Sequence, residues 1–170
     1  MSYMTSSTKD GGELKAIVVR PDFGKRIEPQ SIEISAENGV HGDRWKEHCW
    51  IFTDEGKSHP DVQICMINAR VIEVIAQTRE NWALAGDNLI VDMDFSPENL
   101  PVGTRLKLGS AIIEITGTPH LGCAKFIERY GRDACIFVNT GIGKKQRLRG
   151  VYARVIQDGT VSVGDRMSKL

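Results

Sequence analysis

At 170 residues, with 41% hydrophobic and 26% charged side chains, the chain has the length and composition of one soluble globular domain able to bury a real core. Its 22 basic and 22 acidic residues cancel, which excludes the global electrostatic pull that draws strongly basic proteins to nucleic acid or anionic membranes. No apolar run approaches the roughly 20 residues of a membrane helix and no signal-peptide segment opens the chain. The four cysteines stand far apart without paired spacing, which suits reduced thiols in the cytoplasm better than a disulfide framework.

Residues 1–12 read as a disordered lead-in, followed by a single domain over residues 13–170 with no linker or repeat. The run Leu14 to Val19 is β-branched and stops before Pro21, and Ser31 to Ser35 alternates strictly, so both are expected as strands with one buried face. Next comes Gly39-Val40-His41-Gly42-Asp43-Arg44, a glycine-spaced turn that gathers an imidazole, a carboxylate and a guanidinium. A loop of this kind carries function when a rigid scaffold holds it, although Asp also bonds its own backbone in ordinary turns.

Val71, Ile72, Val74 and Ile75 recur at helical spacing between Ala69 and Thr78, with Asn68 available as an N-cap. A second polar turn, Gly86-Asp87-Asn88-Leu89, opens another strand. Leu106 to Leu108 leads through Gly109-Ser110 into Ala111 to Ile115, a hairpin whose turn carries the glycine it needs.

The strand at Ile112 to Thr116 breaks at Gly117 and Pro119, after which Phe126, Ile127 and Tyr130 mark a helix. Cys123 falls between the two, at the start of that helix. Unpaired N–H groups and the positive end of the dipole favour thiolate over thiol at such a place, and Lys125, Arg129 and His120 add positive charge. An inert cysteine packed beneath a turn is the alternative. Cys65 and Cys135, each within an apolar run, read as core packing.

Arg132 to Thr140 is a short apolar run that reads equally as helix or strand. Lys144, Lys145, Arg147 and Arg149 then crowd a glycine-flanked stretch from Gly141 to Gly150, a candidate grip for a phosphate without the spacing of a Walker-type loop. Finally, Val151 to Ile156 and Val161 to Val163 flank Asp158-Gly159, a pattern that predicts a hairpin. Many short strands, glycine turns and few helices predict a mainly β protein, a β-barrel with helical inserts rather than a parallel α/β sheet.

The ordered set Gly39-Val40-His41-Gly42-Asp43, Gly86-Asp87-Asn88-Leu89, Leu100-Pro101-Val102-Gly103 leading to Leu108-Gly109, isolated Cys123, and Arg149-Gly150-Val151-Tyr152-Ala153-Arg154-Val155 ending at Gly164-Asp165 resembles a MOSC domain. The likeness runs from about residue 13 to 166. It implies a barrel of the pyruvate-kinase-barrel type, as in the C-terminal domain of molybdenum cofactor sulfurases and in molybdoenzymes that reduce N-hydroxylated compounds. It implies a molybdenum cofactor of the molybdopterin type, with Cys123 as the metal ligand or as the carrier of a persulfide sulfur. His41, Asp43, Arg44, Asp87, Asn88, Lys144, Lys145, Arg147 and Arg149 are the candidate cofactor contacts. A soft thiolate suits a metal-sulfur centre and a cationic loop suits a pterin phosphate.

The chain departs from the family pattern at two places. Asp87 stands where many members carry Glu, and Gly122 precedes Cys123 where a proline is common, with Pro119 displaced upstream. Neither a barrel partner domain nor a pyridoxal-phosphate module accompanies the domain, so a sulfur donor or an electron-transfer protein is the expected partner. The competing function is a noncatalytic module that binds an anionic small molecule or a partner protein through the same loops, with Cys123 structural. A zinc site drawn from His41, His48, Cys49, His120 and Cys123 is disfavoured by its poor spacing.

Overall fold

The structure, a computed structural model, describes all 170 residues. In chain order the elements are α1 (Ser2–Thr5), β1 (Gly12–Ile17), β2 (Ser31–Ser35), β3 (Gly39–Val40), α2 (Trp45–His48), β4 (Ile64–Asn68), α3 (Ala69–Ala76), β5 (Leu89–Asp92), β6 (Arg105–Leu108), β7 (Ala111–Ile115), α4 (Ala124–Tyr130), α5 (Arg132–Asn139), α6 (Gly141–Lys145), β8 (Val151–Gln157), β9 (Gly159–Ser162) and β10 (Arg166–Lys169), with 3-10 turns at Pro60–Val62 and Arg79–Ala85. Seven strands close a barrel in the order β1-β10-β6-β7-β8-β4-β5, and β3-β2-β9 form a separate small sheet. No helix is long and apolar enough to cross a membrane.

Alternation in the sequence decides which side chains fill the barrel. In β6 Leu106 and Leu108 point inward while Arg105 and Lys107 stay exposed, and in β7 Ala111, Ile113 and Ile115 do the same. The pair β4 and β5 breaks that rule: it is parallel in a barrel whose other pairs are antiparallel, and the residues Ile64 to Ile67 and Leu89 to Val91 are buried on both faces. A parallel pair needs a crossover, and α3 supplies it; Ile72 and Ala76 of α3 cover Ile67 and Ile90 from outside while Met66 and Leu89 face the interior. Asn68 caps α3 as the sequence predicts, its side chain accepting from the N–H groups of Arg70 and Val71.

One expectation changes. The strands flanking Asp158-Gly159 form, but they do not pair with one another: β8 runs between β7 and β4, whereas β9 leaves the barrel and pairs with β2. A two-residue hairpin turn needs positive φ in its loop, and neither Asp158 nor Gly159 has it. The chain goes straight on across the β6–β7 turn, where Thr160 N–H donates to Ser110 Oγ at 2.8 Å and Ser110 N–H to Thr160 O at 3.1 Å.

The segment over 1–12, expected as a lead-in, lies against the domain. Met4 is buried beside Val71, Phe126 and Leu148, and Ser7 Oγ accepts from Asn68 Nδ2 at 2.8 Å. The apolar side chain of Met4 closes a gap between α3 and the helices inserted after β7, a contact that local polarity does not reveal. Residues Arg132–Asn139, open in sequence to either reading, are helix.

Candidate functional site

One end of the barrel gathers the end of β1, the turn after β3, the start of β4, the turn before β5, the segment after β7 and the entry to β8. Together they line a cleft of about 660 Å³ that includes Arg20, Arg44, Cys65, His120, Cys123 and Arg149.

Its floor is a closed hydrogen-bonded network. Arg20 reaches Asp43 with its backbone N–H at 2.9 Å, its Nε at 2.8 Å and its Nη2 at 2.8 Å, and Asn88 with Nη2 at 3.2 Å. Asn88 returns an Nδ2 bond to Asp43 at 3.0 Å and accepts the Cys65 N–H at 3.1 Å. Burial opposes ionisation of Asp43, but the Arg20 guanidinium and the N–H groups of Arg20 and Trp45 outweigh it and hold the carboxyl below its ordinary range. On the other side, Arg149 Nη1 donates to both oxygens of Asp87. Complete burial pushes the Asp87 carboxyl up, and Arg149 pulls it back. Asp43, Asp87 and Asn88 are therefore turned inward to hold arginines.

Positive charge accumulates above this floor without matching acid. Arg26 bonds the carbonyls of Ala83 and Lys25, Arg129 that of Leu84, and Arg44 and Lys125 lie 4.2 and 5.2 Å from the centre of the Phe23 ring; none of the four pairs with a carboxylate. Gly86, with φ of +79°, lies among them: a Cβ there would sit 3.3 Å from Arg26 Nη2 and 3.8 Å from Arg129 Nη1. Burial, followed by repulsion from Arg129, Arg20 and Arg44, pushes Arg26 down to about 10. Cations held this close without counter-charge favour an anion among them. Exposed Phe23 and Trp50 add flat apolar surface at the mouth.

Cys123 is exposed in this cleft, at the N-cap of α4, while Cys49, Cys65 and Cys135 are buried. The residue before it is fixed by a reciprocal amide clamp: Gly122 N–H donates to Asn139 Oδ1 at 2.8 Å, and Asn139 Nδ2 donates to Gly122 O at 2.9 Å. Proline at 122 would lack the N–H, and any Cβ there would meet Cys135 Sγ at 2.9 Å. Gly122 thus fits this chain's own packing.

The remaining sequence candidates divide between this cleft and other parts of the surface. Arg44 and Arg149 line the cleft; Lys144 and Arg147 line a neighbouring cavity of about 240 Å³ behind the Pro119–Leu121 segment, with Arg147 bonded to Leu100 O. His41 is exposed in a further cavity that it lines with Asn38, Asp43 and Arg44, and Lys145 is exposed at the end of α6. No group of three or more His, Cys, Asp or Glu side chains is clustered to hold a metal ion, His48, Cys49, His120 and Cys123 included. Sequence reading missed Arg20, Arg26, Phe23 and Asn139 as site residues. Arg20 ends an apolar strand and is the one with a legible signal, a charge placed at a strand end.

A sequence profile describing the MOSC domain matches residues 53–168. No curated protein matches the chain. Among solved structures, the YUAD protein of Bacillus subtilis superimposes with a TM-score of 0.62 at 13% identity, covering 92% of this chain and 93% of its own. YiiM from Escherichia coli gives a TM-score of 0.59 at 21% identity over 93% of this chain and 69% of that one. YiiM from Geobacillus stearothermophilus gives 0.60 at 14% identity over 94% and 75%. At these identities the likeness is one of fold.

Proposed function

The chain belongs to the MOSC domain family, and from that premise we propose that its cleft binds a molybdenum cofactor of the molybdopterin type, with Cys123 as the protein's ligand to the metal. The observation that carries this reading is an exposed thiol on the wall of a cleft that also holds three cations without acidic partners, Arg44, Lys125 and Arg129.

The residues fit such a group. The protein offers one accessible soft ligand and no cluster that would hold a bare ion, so a metal here has to bring further ligands with it, as a metal held by a pterin does. Arg44, Lys125 and Arg129 are placed to hold the phosphate, with Arg26 behind Gly86, and Phe23 and Trp50 offer faces to a planar ring. When bound, the cofactor supplies two-electron redox chemistry at the metal. The chain contributes a positioned thiol, a buried hydrogen-bonded floor and charge neutralisation. The class of reaction is reduction of N-hydroxylated compounds or transfer of sulfur, with electrons or sulfur delivered by a partner protein.

The test is metal and pterin content of protein purified from a host that makes the cofactor. The expected result is molybdenum and oxidised-pterin fluorescence in stoichiometric amounts. Absence of both would contradict stable cofactor binding and leave the noncatalytic anion-binding module, which the same unpaired cations support.

A further inference from the structure

His120 lies between the Asp87–Arg149 pair and the cleft. Its Nδ1 is 3.6 Å from Asp87 Oδ1, and the two side chains are 5% and 0% exposed. The ring packs against Tyr152 with centroids 4.2 Å apart and the planes tilted by 34°. Gly150, at φ of +113°, leaves no room behind it: a Cβ there would sit 3.2 Å from Nδ1 and 2.0 Å from Met66 O. Nδ1 is sealed from solvent and makes no hydrogen bond within ordinary distance, whereas Nε2 is not among the sealed, unpartnered atoms. The imidazole therefore has one nitrogen enclosed by protein and the other left for the space that the residue lines, the cleft and the neighbouring cavity at Pro119–Leu121.

We propose that His120 keeps its proton on Nδ1, toward the Asp87 carboxylate, and presents the Nε2 lone pair to the cleft as a hydrogen-bond acceptor, so that the site selects an anion that also carries an O–H or N–H donor. This rests on the reading of the cleft as a site for an anionic ligand.

The tautomer follows from electrostatics. A proton on Nε2 would leave the Nδ1 lone pair facing a carboxylate oxygen, and a proton on Nδ1 points its dipole at that oxygen instead. Burial, with Arg149 and Arg20 nearby, holds the ring neutral. Around it the cleft offers guanidinium and ammonium groups, which only donate. An anion made of acceptors alone satisfies those donors but turns an oxygen lone pair on Nε2. An anion with one proton satisfies both. His48, the other imidazole of the cleft, is exposed at the mouth against Phe23 and lacks such a carboxylate.

Two probes separate the cases. At mildly alkaline pH inorganic phosphate is chiefly a dianion with one O–H, and sulfate has the same charge and tetrahedral shape with none. Calorimetric titration of the full chain at low salt is expected to give hydrogen phosphate roughly tenfold the affinity of sulfate, the size of one hydrogen bond made or missed. His120→Phe is expected to bind both equally, and His120→Gln, which keeps an acceptor oxygen, to retain part of the preference. Equal affinities in the wild type would overturn the inference and leave the anion site standing; binding of neither ion would overturn both. A long-range 1H–15N correlation spectrum of the wild type, with His120 assigned from its loss in His120→Gln, reads the tautomer without any ligand. A proton on Nδ1 supports the assignment, and a proton on Nε2 overturns it.

Discussion

Arg149 donates from a single guanidinium nitrogen to both oxygens of Asp87, at 3.0 and 2.8 Å, and the side chains are 8% and 0% exposed. A pair this deeply buried is strongly interdependent, because removing one partner leaves the other charge in a medium that does not solvate it. Asp87→Ala is expected to lower unfolding free energy by about 3–5 kcal/mol in urea titrations. A cost below about 1 kcal/mol, the size of an exposed pair, would show that water reaches Arg149.

Acid acts on the same cluster through His120. Burial, reinforced by Arg149 and Arg20, holds its imidazole neutral well below the ordinary value of 6.5. The unfolded chain takes up a proton as pH falls through that value and the folded chain does not, so folded stability is lost below about 6.5, with a limiting slope of about 1.4 kcal/mol per pH unit. The wild type should therefore lose stability relative to His120→Gln as pH falls from about 7 to about 5. Asp87 faces the position in both proteins, so the difference isolates the ring. A gap that stays constant with pH would place the proton on the folded ring as well.

The unpaired cations predict opposing effects of one substitution. Arg129 repels Arg26 and Arg44 across the Gly86 turn and has no carboxylate partner of its own to offset it. Arg129→Gln is expected to raise the thermal stability of the ligand-free protein slightly, by about 0.5 kcal/mol given its partial exposure, and to weaken phosphate binding severalfold. Loss of both stability and binding would mean that the bond to Leu84 O outweighs the repulsion.

Gly122→Ala should cost about 1–3 kcal/mol, since its methyl would press on Cys135 Sγ in a packed site. Asn139→Ala removes the clamp without adding bulk. It is expected to change the rate at which iodoacetamide modifies Cys123 while leaving the buried thiols protected. Unchanged Cys123 kinetics in both variants would show that the turn holds its shape without them.

Much of the fold was legible because alternation and capping are local. The faces of β6 and β7, the Asn68 cap and the glycine turn at Gly109 depend on residues within a few positions of one another. The partner of β9 was not, since Asp-Gly has turn propensity in any context and the φ values that forbid the hairpin are set by the crossing at Ser110. In the site, Cys123 and its helix start could be read from Gly117, Pro119 and the spacing of Phe126 and Tyr130. The cationic surround could not, because Arg20 and Arg26, Arg44, and Arg129 come from three separate segments that only the barrel brings together. Asp43, Asp87 and Asn88 were found by their turn motifs, yet their side chains bind arginines, and sequence does not say which way a turn faces. Cys65 lies in an apolar run, but Arg20 Nη1 approaches its Sγ at 3.6 Å where it lines the cleft.

The most direct test of the account is the molybdenum-to-protein ratio of Cys123→Ala set against Cys65→Ala and the wild type, all purified from one cofactor-producing host. Cys123 is exposed and its loss should leave stability within about 0.5 kcal/mol, so a change in metal content reports ligation rather than unfolding. The account predicts molybdenum retained in the wild type and in Cys65→Ala and lost from Cys123→Ala. Full molybdenum in Cys123→Ala would contradict it.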